Sequence, residues 1–210
     1  MKTLIITGGM IEADFALSFI QELKPDYILG VDKGLQFCYE YDIRPDYIVG
    51  DFDSVPRKLV EYYREELDVP VREFNPVKDA SDTEIALRLC LGLNRKKIVI
   101  LGATGNRIDH LWANVQCLQI ALEAGADACI MDAHNKIRLL DKTVTLKKEE
   151  AFGPYFSLFP LEQPVDAFNI TGANHFLKPS DSLCVSNEFV EDEVEISFVY
   201  GKVILMETRD

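Results

Sequence analysis

What most constrains this chain is a regular alternation over its first two-thirds. Short apolar runs stand at Lys2–Thr7, Tyr27–Val31, Tyr47–Gly50, Val71–Phe74, Lys97–Leu101 and Ala128–Met131. Between them lie Glu12–Leu23, Gly34–Tyr41, Arg57–Glu66, Ser81–Leu91 and Asp109–Ala124, which read at helical spacing. In the last of these, Leu111, Val115, Leu118 and Leu122 recur every three or four residues, the period of one helix face. Strands that alternate with helices predict a mostly parallel sheet covered on both faces, with right-handed crossovers.

The texture changes near Asn135. Short runs stand at Ile137–Leu140, Val144–Leu146, Tyr155–Phe159, Ala167–Ile170, Ser182–Val185, Val194–Tyr200 and Val203–Glu207, separated by Gly, Pro, Asn and Asp, with no long amphipathic helix. That spacing predicts a small antiparallel sandwich or barrel, of which the sandwich is the expectation carried forward. The expected class is therefore α/β: an N-terminal mostly parallel α/β sheet domain over residues 1–134, then a smaller antiparallel β-sandwich domain over residues 135–210. The boundary is expected between Asp132 and Asp141.

Composition narrows the function classes. Lys and Arg number 22 against 35 Asp and Glu, a net charge of −13 that argues against an extended nucleic-acid contact surface. A local basic pocket for a small anion stays open. Five widely spaced cysteines, none in a C-x-x-C pair, suggest neither a disulfide framework nor a zinc cluster, and fit free thiols in a reducing cytoplasm. Met1–Gly9 lacks the layout of a signal peptide, and no uncharged apolar stretch approaches the ~18 residues of a membrane span. The expectation is a cytoplasmic protein that contacts neither nucleic acid nor membrane.

In an open α/β sheet, ligands bind beyond the carboxyl ends of the strands. The segments just after the predicted strands are therefore the informative ones. They are Gly8-Gly9, Asp32-Lys33-Gly34, Gly50-Asp51-Phe52-Asp53-Ser54, Asn75 to Asp82 and Gly102 to His110. Glycines, carboxylates, one Lys and one Arg fall on one rim. Asp51 and Asp53, as alternate residues of an extended segment, would point the same way and offer paired hard oxygens to Mg²⁺. An Asp-rich turn explains them equally well. Ser81 to Glu84 has the spacing of a capping box, which accounts for both residues structurally, while the helix N-terminus beside Lys78 and Asp79 suits a polyphosphate. Gly102 to Arg107 gives anion-accessible amides and a guanidinium, or an ordinary glycine turn. Asp109 is a candidate helix cap. His110 and Asn114 are four residues apart and can share the cleft, and Trp112 reads as core. No P-loop, dinucleotide fingerprint, protein-kinase set, G-x-S-x-G elbow or H-E-x-x-H pair occurs. The residues alone point to a Mg²⁺-dependent enzyme for a phosphorylated ligand.

Taken together, Gly50-Asp51-Phe52-Asp53-Ser54, Lys78-Asp79-x-Ser81-Asp82-x-Glu84, Gly102-x-x-Gly105-x-Arg107-x-Asp109-His110 and Ser186-Asn187-Glu188 resemble the thiamine pyrophosphokinase family. The resemblance implies transfer of the pyrophosphoryl group of ATP to the thiamine hydroxyl, giving thiamine diphosphate and AMP. It also implies a homodimer with active sites shared between subunits. By position, Asp51, Asp53 and Asp82 would be the catalytic, Mg²⁺-binding carboxylates. Asp32, Lys78, Asp79, Ser81, Thr104, Arg107 and Asp109 would bind ATP, and Ser186 and Asn187 would bind thiamine. Two positions depart from the family pattern: Lys33 replaces the first glycine of Asp-Gly-Gly, and Cys184 replaces a glycine two residues before Ser-Asn. A pyrophosphokinase or kinase for another small alcohol, and a non-catalytic nucleotide-sensing module, are the competing readings.

Overall fold

The computed structural model describes residues 1–75, 80–170 and 173–210. The chain divides into two compact units, Met1–Ala133 and His134–Asp210. In the first, strands and helices alternate: β1 (Lys2–Ile6), α1 (Ala13–Leu23), β2 (Tyr27–Val31), α2 (Gly34–Glu40), β3 (Tyr47–Gly50), α3 (Arg57–Glu61), β4 (Val71–Glu73), α4 (Asp82–Gly92), β5 (Lys97–Leu101), α5 (Ile108–Glu123) and β6 (Asp127–Met131). Its strands run in the order β6-β5-β1-β2-β3-β4, every pair parallel. Leu4, Ile5 and Ile6 are successive residues with no exposed surface, which requires cover on both faces of β1. From β1 the chain builds outward through β2, β3 and β4, then returns to the other side through β5. The crevice of such a sheet opens where that order reverses, beyond the carboxyl ends of β1, β2 and β5.

The expected helix over 57–66 is interrupted. After Glu61 the backbone widens into a π-helical turn, Tyr62–Glu66, that carries Tyr63 inward, where its hydroxyl donates to the Ile43 carbonyl at 3.3 Å. A single helical period cannot reveal that extra residue.

The second unit holds β7 (Asn135–Leu140), β8 (Val144–Lys147), β9 (Tyr155–Pro160), β10 (Val165–Ile170), β11 (Ala173–Leu177), β12 (Asn187–Glu188), β13 (Glu193–Ser197) and β14 (Val203–Thr208). Two antiparallel layers form, β12-β9-β14-β7 and β11-β10-β13-β8. Leu140, Phe156, Leu158, Val203 and Leu205 of the first pack with Leu146, Val165, Phe168, Val194 and Ile196 of the second. Alternate residues reach this core, as a sandwich requires. At its edge Glu207 is 3% exposed, held by the Phe152 N–H at 3.1 Å and Lys136 Nζ at 3.2 Å.

Two strand expectations are corrected here. Ser182–Val185 is a turn, because the Cys184 carbonyl accepts from the Leu158 N–H at 2.9 Å and Ser186 then turns the chain with φ 55°; the short β12 comes next. The strand expected over Val194–Tyr200 ends at Ser197, leaving Tyr200 a lone bridge to Asp166. β11 was not legible as a separate strand. Among the described residues no helix is long and apolar enough to cross a membrane.

Candidate active site

The cleft is framed by backbone. The loop after β1 is zipped to the loop after β5: the Thr7 N–H donates to the Leu101 carbonyl at 2.9 Å, Gly9 to Gly102 at 2.7 Å and Met10 to Thr104 at 2.8 Å. A Cβ on Gly9 would fall on the carbonyl oxygens of Gly102 and Thr104, so only glycine permits this crossing. Asn114 of α5 anchors the same loop, its Nδ2 donating to the Ala103 carbonyl at 2.8 Å. The result is a cleft of about 920 Å³ reached by the ends of β1, β2 and β5 and by the first turns of α4 and α5.

At Asp32 the cleft meets a group of carboxylates. Asp32, Asp51 and Asp53 each bring one oxygen within 4.8 Å of the others. Asp32 comes directly after β2 in the left-handed region, φ 44°, and accepts from Ser54 Oγ at 3.0 Å through Oδ2. Its Oδ1 is buried and has no hydrogen-bond partner among the described residues. Burial pushes the Asp32 carboxyl above its ordinary 3.8, the hydrogen bonds from Ser54 and from the Lys33 backbone pull it down, and the charges of Asp82 and Asp51 raise it further. Asp51 and Asp53 do converge, but not by strand alternation. Between them Phe52 has φ 55°, and the Asp53 N–H folds back onto Asp51 Oδ1 at 3.2 Å. Three converging carboxylates, one of which also carries a buried oxygen that accepts no hydrogen bond from the described residues, fit a hard divalent cation, whose neighbouring oxygen ligands sit about 3 Å apart.

Asp82 is not in that oxygen group, yet it lines the same cleft, and its charge acts on Asp32. Ser81 caps α4, its hydroxyl accepting from the Glu84 N–H at 3.2 Å, while the Glu84 carboxylate takes Arg88 Nε at 2.8 Å. Ser81, Thr104, Arg107 and Asp109 all line the cleft. Lys78 and Asp79 lie outside the described residues. Asp109 does not cap α5: Arg107 occupies the N-cap, and Asp109 accepts a two-pronged bond from its guanidinium, Nε to Oδ1 at 3.1 Å and Nη2 to Oδ2. The guanidinium holds the Asp109 carboxyl down to about 2. His110 and Asn114 both line the cleft as the spacing suggested, whereas Trp112 is 46% exposed and not core. The α5 face that enters the core carries Val115, Leu118 and Ala121 instead.

Ser186 and Asn187 lie in the second unit. The Ser186 N–H donates to Ser157 Oγ at 2.9 Å, and Asn187 Nδ2 donates to the carbonyls of Phe156 at 3.1 Å and Cys184 at 3.0 Å. Position 184 thus takes a side chain that is buried in the sandwich core, and the left-handed residue of the turn is Ser186. The contribution of Asp32 to the oxygen group was missed by sequence reading, as was the structural use of Ser54 and Gly9. Only the placement of Asp32 directly after a strand hinted at its part.

Residues 21–130 match the family model described as thiamin pyrophosphokinase, catalytic domain, and residues 142–203 match thiamin pyrophosphokinase, vitamin B1 binding domain. The thiamine pyrophosphokinase of Bacillus subtilis is 28% identical over 188 residues, 87% of either chain. Among solved structures, thiamine pyrophosphokinase from Bacillus subtilis superposes with a TM-score of 0.87 at 25% identity, covering 100% of both chains. Thiamin pyrophosphokinase from Geobacillus thermodenitrificans gives 0.85 at 28% identity, covering 100% of this chain and 98% of the other. The yeast enzyme, at 17% identity and a TM-score of 0.79, shares the fold. With both of its parts matched, this chain belongs to the thiamin pyrophosphokinase family.

Proposed function

We propose that this protein transfers the pyrophosphoryl group of ATP to the hydroxyl of thiamine, giving thiamine diphosphate and AMP. The observation that carries the reading is that Asp32 belongs both to a carboxylate group able to hold a divalent cation and to the cleft lined by the amide-rich, arginine-bearing loop that opens α5. Asp32, Asp51 and Asp53 would hold Mg²⁺, with Asp82 beside them toward the phosphates. The ion would supply the positive charge that polyphosphate needs beside so many carboxylates. Thr104 and the backbone amides of Gly102 to Arg107 receive phosphate oxygens, and Ser81 presents the N-terminus of α4 to the same anion. Arg107 exchanges Asp109 for phosphate when nucleotide arrives. Lys78 and Asp79 belong to the nucleotide side of this reading.

The chemistry asks little covalent work of the chain. The thiamine hydroxyl attacks the β-phosphorus, AMP departs, and negative charge spreads over the moving group, so positioning and neutralisation carry the rate. In this reading residues 1–134 bind ATP and residues 135–210 bind thiamine through Ser186 and Asn187. Supporting that division, the cleft-lining residues all fall within Met1–Ala133, while the vitamin B1 binding match falls in residues 142–203. A homodimer that shares its sites is part of the same proposal. So is a reducing cytoplasm, supported by five free thiols, of which Cys38 and Cys90 are pushed up to about 12 by burial.

Nucleotide analysis after incubation with ATP, Mg²⁺ and thiamine tests the reaction. AMP and thiamine diphosphate in equal amounts are expected. ADP would instead mark an ordinary kinase, and absence of turnover would overturn the reading.

A further inference from the structure

Lys33 stands where the family pattern has glycine, yet its backbone needs none: φ is −60° and ψ −18°, ordinary right-handed values. The strained residue of this corner is Asp32. A lysine stem still requires room, and Gly8 leaves it. A Cβ on Gly8 would lie 2.8 Å from Lys33 Cβ, so any larger residue at position 8 would press on the lysine. Both residues line the cleft.

Charge then singles this lysine out. Among the described residues the permanently cationic side chains lining the cleft are Lys33 and Arg107, facing Asp32, Asp82 and Asp109. Arg107 is paired with Asp109 through both prongs of its fork and must release it before it meets phosphate, whereas Lys33, among the described residues, need release nothing. Lys33 is exposed, and no carboxylate among the described residues forms an ion pair with it. It stands next to Asp32 in the chain, so it sits at the carboxylate end of the cleft. On the proposed reaction, that end receives the phosphates being transferred.

We propose that Lys33 is a phosphate-binding residue for the β- and γ-phosphates of the nucleotide, a role that rests on the proposed use of ATP. It adds a full charge to the neutral amides of the Gly102 to Arg107 loop, which is hydrogen-bonded to the turn that follows Gly8. An ammonium within a few ångströms of a phosphate oxygen at an exposed site is worth about one decade in affinity.

Calorimetric titration of the full chain tests this with Mg²⁺ and no thiamine, comparing ATP with AMP, which lacks both phosphates in question. Lys33→Ala is expected to weaken ATP about tenfold and to leave AMP unchanged, and the ATP loss should shrink at high salt as screening weakens the wild-type contact. Lys33→Arg should retain most of the ATP affinity. Lys33→Gln, which keeps the stem, should behave as the alanine variant does. Unchanged ATP affinity in the Ala and Gln variants overturns the proposal, as does equal weakening of ATP and AMP. Because binding is read apart from turnover, absence of AMP formation by the wild type would overturn the reaction without deciding the role of Lys33.

Discussion

Replacing Asp32 with asparagine should stabilise the metal-free protein while abolishing its response to Mg²⁺. Asp32 shares a space in which the oxygens of Asp51 and Asp53 lie no more than 4.8 Å away. Two unit charges at that separation repel by about 0.9 kcal/mol in a water-like dielectric and about 3.5 kcal/mol at an effective dielectric of 20. Asp53 is exposed, so the lower figure applies, and removing Asp32 relieves two such pairs, about 2 kcal/mol. Against this, the hydrogen bonds from Ser54 and the Lys33 backbone pass from a charged to a neutral acceptor, a loss of about 1 kcal/mol. Asparagine tolerates the left-handed backbone as well as aspartate does. The net gain of about 1 kcal/mol corresponds to about 2–4 °C in the melting midpoint of a chain this long. Its pH dependence has a definite sign. Because burial raises the folded carboxyl above 3.8, the unfolded chain ionises first, and the penalty on the native state grows from pH 3.8 to the raised value and is constant above it. The asparagine advantage is therefore full at neutral pH and vanishes below about pH 3.8. Calorimetric melting in EDTA and in Mg²⁺, at neutral and acidic pH, reads all of this. A variant that melts below wild type in EDTA, or that gains as much from Mg²⁺ as wild type does, refutes the reasoning.

Arg107→Lys should raise the KM for ATP about tenfold while leaving thiamine binding intact, since a point charge cannot reproduce the fork; steady-state kinetics that match wild type would show that charge alone suffices. Gly9→Ala, whose Cβ would meet the carbonyls of Gly102 and Thr104, should lower stability by about 1–3 kcal/mol in denaturant titration and weaken ATP by parting the two loops. Mixing inactive Asp82→Asn with inactive Asn187→Ala should restore activity toward a ceiling of about a quarter of wild type if subunits share sites, and no rescue despite demonstrated subunit exchange would mean each chain completes its own.

Much of this was legible because it rests on periodicity. The strands of the first unit are short runs bounded by helices whose apolar residues repeat on one face, and a sheet covered on both sides admits little else. The rim was legible by topology, since residues after consecutive parallel strands must converge. What stayed hidden depends on backbone conformation. The π-turn at Tyr62–Glu66 leaves no mark on helical spacing, and Ser182–Val185 is apolar enough to pass for a strand although it is a turn whose Cys184 carbonyl accepts from Leu158 and Asn187. Trp112 misleads for another reason: a large aromatic side chain is a core signal only on average, and here α5 turns Val115, Leu118 and Ala121 to the core instead.

The carboxylate group shows how a correct expectation can have a different cause. Asp51 and Asp53 were expected to face one way as alternate residues of a strand. In the structure β3 has ended at Gly50, and the two converge because Phe52 adopts φ 55°. A bulky residue in that region is strained by about 1 kcal/mol or more and needs compensation. Burial supplies it. Phe52 is 6% exposed, and its ring packs so closely over Gly50 that a Cβ there would lie 2.8 Å from Cε1. Asp32 and Ser186 are left-handed as well, so a positive φ marks three motifs assigned to chemistry, whereas Lys24, Asp42, Asp68 and Asn94 take it just after helices. The latter are ordinary helix exits, where a left-handed residue satisfies free carbonyls. The former come after strands or stand in a turn, where no helix end asks for one. Glycine would adopt these angles without strain but could bring no oxygen to the cleft. Aspartate at position 32 brings both the turn and an oxygen of the carboxylate group, and the packed Phe52 holds the neighbouring turn that brings the other two.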